Sequence, residues 1–387
     1  MGHLLIVCYS PSNMEQIIRD VQDITEEMYG ALIVERPELG LNKVFHSFKD
    51  KTIAPSYLTK VVSRKEVSVL QEFYDIRGSV LKIFPAFGSS MSYMTSKFAR
   101  DLWEAGGIHV LPRIVDNISH QLYTIEHCER LGSFVGVSLG LNSHSKYIEK
   151  ITNYKNVKFL SIDIAHGATA NLLGVLNNIR SLGINSGVIV GNVGSLKGFI
   201  FVSQLMEKLG FVDYIIKVGV GPGSVCTTRV NTGVGLGQLG LLEDIYSVYS
   251  DNSSIRIISD GGVTCPGDFA KAVSRSHGVM MHRMFIGSSF DDNVISTMTD
   301  EKGNKKYRIH TYGMASSKVQ GKTDYIEGGD QHHEFSSLKS AVEIVKGLDE
   351  GLRSAMTYVN AINLADFKSN VEFSINSYGA MIEGGIH

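Results

Sequence analysis

From about residue 80 the chain alternates, eight times over, between a short apolar run and a longer amphipathic stretch. The runs expected as strands are Leu81–Phe84, His109–Arg113, Phe134–Leu139, Phe159–Ile164, Gly187–Gly191, Tyr214–Val218, Ile255–Ser259 and Gly278–Met281. Between them lie helical patterns such as Met94–Ala105, Asn171–Leu182 and Ser195–Leu209. Strict strand–helix alternation implies parallel strands with right-handed crossovers. Eight such units point to a closed (β/α)8 TIM barrel rather than an open sheet. Most of the runs stop at small or polar residues: Ser89-Ser90, Asp163-Ile-Ala-His-Gly167, Gly191-Asn-Val-Gly194, Gly219-Val-Gly-Pro-Gly-Ser224 and Asp260-Gly-Gly262. In a barrel the C-terminal strand ends carry the site, and glycine there lets backbone N–H groups approach a ligand closely.

Two regions break the rhythm. Residues 1–45 combine an apolar Leu4–Cys8, a helical Met14–Tyr29 and an apolar Ala31–Glu35, which read as a small βαβ-like or hairpin extension. Residues 46–387 read as one barrel domain, with residues 303–336 as a mobile flap after the eighth strand. Gly235-Leu-Gly-Gln-Leu-Gly240 spells GxGxxG, but it does not directly follow a strand and lacks the distal acid of a dinucleotide fold, so it reads as glycine packing. His332-His333-Glu334 reads as a solvated loop, and His166 as a residue that orders its own loop through a ring hydrogen bond.

Bulk properties narrow the function. A hydrophobic fraction of 43% supports a large core, and a formal net charge of −2 favours neither nucleic acid nor an acidic membrane as a partner. Apolar runs are too short and broken to span a bilayer, and no basic, apolar leader opens the chain. A soluble cytoplasmic protein is expected. The four cysteines, Cys8, Cys128, Cys226 and Cys265, form neither a zinc pattern nor a disulfide framework. Cys8 and Cys128 read as buried hydrophobes and Cys265 as an inert turn residue.

Cys226 differs. In Lys217-Val-Gly-Val-Gly-Pro-Gly-Ser-Val-Cys-Thr-Thr-Arg229 a strand runs into a glycine loop that presents the thiol beside Thr227, Thr228 and Arg229. Loop dipoles and a nearby cation favour a thiolate, and a thiolate is a nucleophile. Asp260, at a strand end before Gly261 and Gly262, reads either as an acceptor of ribose hydroxyls or as an Asp closing a turn.

Here the chain resembles the IMP dehydrogenase/GMP reductase family. Gly219–Arg229 with Thr232-Gly-Val-Gly235 is similar to its cysteine loop. Further likenesses follow the family's order: Ser47-Phe-Lys-Asp50 with Pro55 and Ser63-Arg-Lys-Glu-Val67, Asp163-Ile-Ala-His-Gly167, Gly191-Asn-Val193, Ser259-Asp-Gly-Gly-Val-Thr-Cys-Pro-Gly-Asp268, Tyr312-Gly-Met-Ala-Ser-Ser317, and Gly351-Leu-Arg-Ser-Ala-Met-Thr-Tyr-Val359. The likeness leans to the reductase branch. There is no room for the paired regulatory (CBS) insert of the dehydrogenases, and no Arg-Tyr pair lies between Tyr312 and Glu327. The tail Ile382-Glu-Gly-Gly-Ile-His387 resembles the dehydrogenase instead.

The resemblance implies a purine nucleotide substrate, a nicotinamide cofactor (NADPH, or NAD in the dehydrogenase direction), potassium and a homotetramer. It implies Cys226 as nucleophile at purine C2, with Thr228 and a flap carboxylate moving the proton. Glu327 is the best match for that carboxylate, with Asp324 and Asp330 as rivals. Ser224, Gly262 and Tyr312 would hold the phosphate side, Met314 and Ala315 the base and Asp260 the ribose, with Gly261 also among the substrate-binding residues. Asp163, Ala165, Asn192 and Gly219 would meet the cofactor. Carbonyls of Gly221, Gly223 and Cys226, with Glu383, Gly384 and Gly385 of a neighbouring copy, would hold potassium. Two departures stand out. His282-Arg283 replaces the family's small residues, so either Arg283 binds phosphate or the pair fills the pocket. Phe87-Gly-Ser-Ser-Met91 replaces a Met-Asp pair. The expected reaction is reductive deamination of GMP to IMP and ammonia. IMP dehydrogenation to XMP and a catalytically inactive nucleotide-binding barrel are the alternatives.

Overall fold

The computed structural model describes residues 11–91, 95–113, 118–223, 226–250, 252, 254–288, 295–299, 302–313, 316 and 329–383. Eight parallel strands close into a barrel: Ala86–Gly88, Ile108–Leu111, Val135–Leu139, Val157–Asp163, Gly187–Val193, Tyr214–Val218, Ile255–Asp260 and Gly278–Met281, with the last pairing back onto the first. Helices follow the strands and bury one stripe each, as in Leu172–Leu182, where Leu172, Val175, Leu176 and Ile179 are inaccessible to solvent.

The first strand differs from expectation. Val80–Ile83 pairs antiparallel with Gln71–Tyr74, and the barrel strand lies beyond Pro85, at Ala86–Gly88. The two runs are close in sequence, but Lys82 interrupts the first, and proline lacks the N–H a continuous ladder needs and separates them. The hairpin closes the N-terminal end of the barrel. Its Phe73 meets Phe87 and Phe159 edge-on, with ring centroids 5.3 and 5.8 Å away. Phe73, Ile83, Phe87, Ile108, Val110, Phe159, Ile189, Ile215, Ile258 and Met280 form the sealed lower interior.

The N-terminal extension is also different. A single helix, Pro11–Glu35, runs straight through the expected strand Ala31–Glu35 and packs on the helix Leu196–Lys208. Ile17, Val21 and Thr25 are buried, and Leu32 and Ile33 continue the same helical stripe against the core. Tertiary packing overrides the local preference of Ile33 and Val34 for a strand. Leu4–Cys8 lies outside the described residues. Within residues 303–336, Lys305–Tyr312 pairs with Ile295–Thr299 and with Asp330–Phe335, so the expected loop has a three-stranded stem. His332 and His333 stand on that stem rather than in a loop. Being adjacent on a strand, they point to opposite faces. Gly235–Gly240 packs as expected. A Cβ on Gly237 would lie 2.0 Å from the Phe45 carbonyl oxygen, and one on Gly240 would lie 2.8 Å from the His46 nitrogen.

Candidate active site at the barrel rim

Alternation along the strands sets the chemistry. Phe159, Ile215 and Ile258 point into the sealed interior, and residues an even number further on face the same way: Asp163, Lys217 and Asp260. The interior therefore changes from aromatic to charged towards the C-terminal strand ends.

Lys217, with 3% of its side chain exposed, lies between the two carboxylates. Its ammonium donates to Asp163 Oδ1 and sits 3.3 Å from Asp260 Oδ2. Asp163 Oδ2 also accepts from Ser90 Oγ at 2.8 Å and Ser138 Oγ at 3.3 Å. Asn192 Nδ2 donates to Asp260 Oδ2 at 2.7 Å and to the Gly219 carbonyl at 2.8 Å. Asn192 can reach inward because the ladder skips it: Gly191 pairs with Lys217 and Val193 with Val218. Burial alone would raise the pKa of Asp163, but the charge and hydrogen bond of Lys217, with those of the two serines, outweigh it and lower the pKa. Burial likewise opposes the charge on Lys217, and the two carboxylates override it and raise its pKa.

The cysteine loop nests against this cluster. Gly219 has φ +141°, and a Cβ there would lie 2.4 Å from the Asp260 carbonyl oxygen. A Cβ on Gly261 would meet the Gly223 nitrogen at 3.0 Å, so the loops after the sixth and seventh strands touch backbone to backbone. Gly221 is also in the left-handed region, and the Gly223 carbonyl accepts from Cys226 N at 3.1 Å. The half-buried Cys226 thiol donates to Thr228 Oγ1 at 3.2 Å, where the short helix Thr228–Thr232 begins. Arg229 ties the loop together. Its guanidinium donates to the Val220 carbonyl at 3.2 Å and to the Leu236 carbonyl. Burial lowers its pKa, while the nearby Cys226 pulls the other way.

Beyond Asp260, Gly262 has φ +82° and is half-buried. His282 is buried, and its carbonyl caps the turn Arg283–Phe285, whereas Arg283 is exposed. Burial, followed by the neighbouring His333, lowers the pKa of His282 to about 3, so this ring is neutral. Tyr312 pairs with Asp330, and Gly313 N donates to the Gly329 carbonyl at 3.1 Å. Ser224, Met314, Ala315, Asp324, Glu327, Gly384 and Gly385 lie outside the described residues. Glu383 is exposed, ends the helix Tyr378–Glu383 and makes no bond to the cysteine loop among the described residues.

A family profile described as the IMP dehydrogenase / GMP reductase domain matches residues 45–387. The chain belongs to this family. Among its relatives are two that carry the name GMP reductase. One, from Phytophthora infestans, is 32% identical over 349 residues, covering 84% of this chain and 89% of the relative. The other, from Staphylococcus aureus strain JH9, is 29% identical over 294 residues, covering 75% of this chain and 84% of the relative. An oxidoreductase of the IMP dehydrogenase/GMP reductase family is thus built on this barrel, and the helix Pro11–Glu35 lies outside the matched region.

The structure gathers Asp163, Asn192, Gly219, Asp260, Gly261, Gly221, Gly223, Cys226 and Thr228 into one continuous rim. Sequence reasoning missed three contributors: Lys217, Ser90 and Ser138. Lys217 did carry a signal, since a charge inside the apolar run Tyr-Ile-Ile-Lys-Val needs a buried partner. His166 is a correction. It is exposed and makes no hydrogen bond with a described residue; the loop is held instead by backbone bonds from Ile164 N to the Gly191 carbonyl and Gly167 N to the Asn192 carbonyl. Gly167 is needed there, because a Cβ would lie 3.0 Å from Gly191 backbone atoms. His166 lines a cavity of about 420 Å³ between the N-terminal helix and the helix Leu196–Lys208.

Proposed function

We propose that this protein removes the 2-amino group of GMP reductively, giving IMP and ammonia at the expense of NADPH. The observation that carries the reading is the half-buried Cys226 thiol, 3.2 Å from the Thr228 hydroxyl at the C-terminal rim of the barrel. Cys226 as thiolate adds to C2 of the purine. Thr228, backed by the flap carboxylate Glu327, delivers the proton with which ammonia departs, leaving a thioimidate on the enzyme. A nicotinamide cofactor supplies the hydride that reduces C2. Expulsion of the thiolate then releases IMP.

The residues present fit such a cofactor. Asp163 has one acceptor for Lys217 and another shared by two serines, which leaves about one of its four lone-pair sites for a ribose hydroxyl. Ala165, exposed on the same loop, Asn192 and Gly219 border it. For the nucleotide, no hydrogen bond from a described residue reaches Asp260 Oδ1, so this oxygen can take the ribose hydroxyls. Gly262 offers its N–H to the phosphate, with Ser224 and Tyr312, and Gly261, whose own N–H donates to the Met280 carbonyl at 3.2 Å, shapes the turn beside it, while Met314 and Ala315 meet the base. The exposed guanidinium of Arg283 replaces the donors that small residues would give, as a bidentate phosphate ligand. Potassium, held by carbonyls of Gly221, Gly223 and Cys226 with Glu383, Gly384 and Gly385 of another copy, belongs to a homotetrameric, cytoplasmic form of the enzyme.

The test is spectrophotometric. GMP with NADPH should bleach the reduced-nicotinamide band, and Cys226→Ala should cut kcat by roughly 10⁴-fold while GMP still binds. Growth of that band with IMP and NAD, and no bleaching with GMP, would reverse the assignment to a dehydrogenase. GMP binding without turnover of either nucleotide would make the barrel a sensor.

A further inference from the structure

Lys217 is the one described side chain that touches both carboxylates of the rim. It does so from a third strand, with Asp163 on the fourth, Asp260 on the seventh and itself on the sixth. Two carboxylates to one ammonium leave the cluster with an excess negative charge. A buried charge is stable only when matched, so the ammonium is contested. Asp163 holds it more closely, and Asp260 lies 3.3 Å away. Each carboxylate has its own second anchor, Ser90 and Ser138 for Asp163 and Asn192 for Asp260. Below the ammonium lie only Met280 Sδ, at 3.8 Å, and the apolar interior, so it has no other charge to turn to among the described residues.

We propose that Lys217 is a positioning residue that couples the two ligand-binding halves of the rim. This rests on the functional reading above, in which nucleotide ribose hydroxyls engage Asp260 and dinucleotide ribose hydroxyls engage Asp163. Hydroxyls donating to Asp260 replace part of what the ammonium gives that carboxylate. The ammonium then settles on Asp163 and fixes its orientation. The second ligand meets an acceptor already ordered and loses less freedom on binding. Linkage makes the effect mutual: whatever factor the dinucleotide adds to nucleotide affinity, the nucleotide adds to dinucleotide affinity.

Calorimetric titration with GMP, with and without saturating NADP⁺, tests this, because that pair cannot turn over. In the wild type NADP⁺ should tighten GMP binding about tenfold, and GMP should tighten NADP⁺ binding by the same factor. Lys217→Arg keeps a charge that can reach both carboxylates and should keep the coupling. Lys217→Met keeps the stem without the charge and should bring the ratio close to one. Lys217→Met also leaves two carboxylates unmatched and endangers the fold, so Asp163→Asn is the second variant. It alters a group the nucleotide does not touch, and it too should abolish the coupling. Independent binding of the two ligands in the wild type, or a full ratio in Asp163→Asn or in folded Lys217→Met, overturns the proposal while leaving the enzymatic reading intact. Failure of the wild type to bind GMP at all overturns both.

Discussion

The lower and upper halves of the barrel interior share their strands, with Phe73 of the hairpin added below, and obey opposite rules. Below, Phe73, Phe87 and Phe159 meet edge to face with no polar atom among them. Above, Asp163, Lys217 and Asp260 put three charges within one hydrogen-bonded cluster. Burial of aromatic area stabilises the fold regardless of what the rim does, whereas the rim tolerates buried charge only through matched partners. Stability and chemistry should therefore be separable by substitution. Phe159→Ala breaks the floor. It should cost about 3–5 kcal/mol of unfolding free energy in urea, with kcat per folded molecule changed less than about twofold. A kcat that collapses while the urea midpoint holds would mean that floor and rim are not independent.

The rim itself divides in the same way between groups held charged and a group held neutral. Asp163 and Lys217 keep their charges because each has the other. His282, at the end of the eighth strand, is held neutral instead: burial, together with His333, lowers its pKa to about 3. The sign of the pH effect follows. Between pH 6.5 and 3 the unfolded chain takes up a proton at this histidine that the folded chain refuses, so stability falls as pH falls through that window. At pH 5 the loss from His282 should be roughly 2 kcal/mol relative to neutral pH. Histidines 109 and 277 lose stability in the same direction, since burial also lowers their pKa values. Unfolding free energies at pH 7 and pH 5 should therefore converge in His282→Gln by about that amount. An identical acid loss in wild type and variant would refute a neutral buried ring.

These contrasts were partly legible in the sequence. Seven of the eight expected strands overlap the observed barrel strands, because a buried parallel strand writes a continuous apolar run. The remaining one failed because Leu81, Ile83 and Phe84 read as a strand next to Ala86–Gly88, although Lys82 interrupts them and Phe84-Pro85 separates the hairpin from the barrel. Ala31–Glu35 failed because Leu32 and Ile33 continue a helical stripe that only the packed partner reveals, while Val34 faces solvent. Cys226 with its glycines, and the acids at strand ends, announced themselves by local pattern. The Asp163–Lys217–Asp260 cluster did not, since its first two members lie 54 positions apart and meet only when the barrel closes. Ser90 is similar. As sequence it was a departure from the family's Met-Asp; in the fold it is a donor to Asp163.

That donor gives the finest test of the rim. Ser90 Oγ, at 2.8 Å, is the nearer of two hydroxyls on Asp163 Oδ2, the other being Ser138 at 3.3 Å. A hydrogen bond to a charged acceptor contributes about 1.5–3 kcal/mol, but Ser138 and Lys217 remain to hold Asp163 in Ser90→Ala, so only part of that should be felt. The carboxylate stays ionised and loses one constraint on its orientation. On the proposed function the loss belongs to the dinucleotide half of the site. The KM for NADPH should rise roughly three- to tenfold with kcat little changed, because a loosened acceptor weakens ground-state and transition-state binding alike. The KM for GMP should move much less, since Ser90 reaches Asp260 only through Asp163 and Lys217. A GMP KM that rises as far as that for NADPH would place Ser90 on the nucleotide side and assign Asp163 to the wrong ligand.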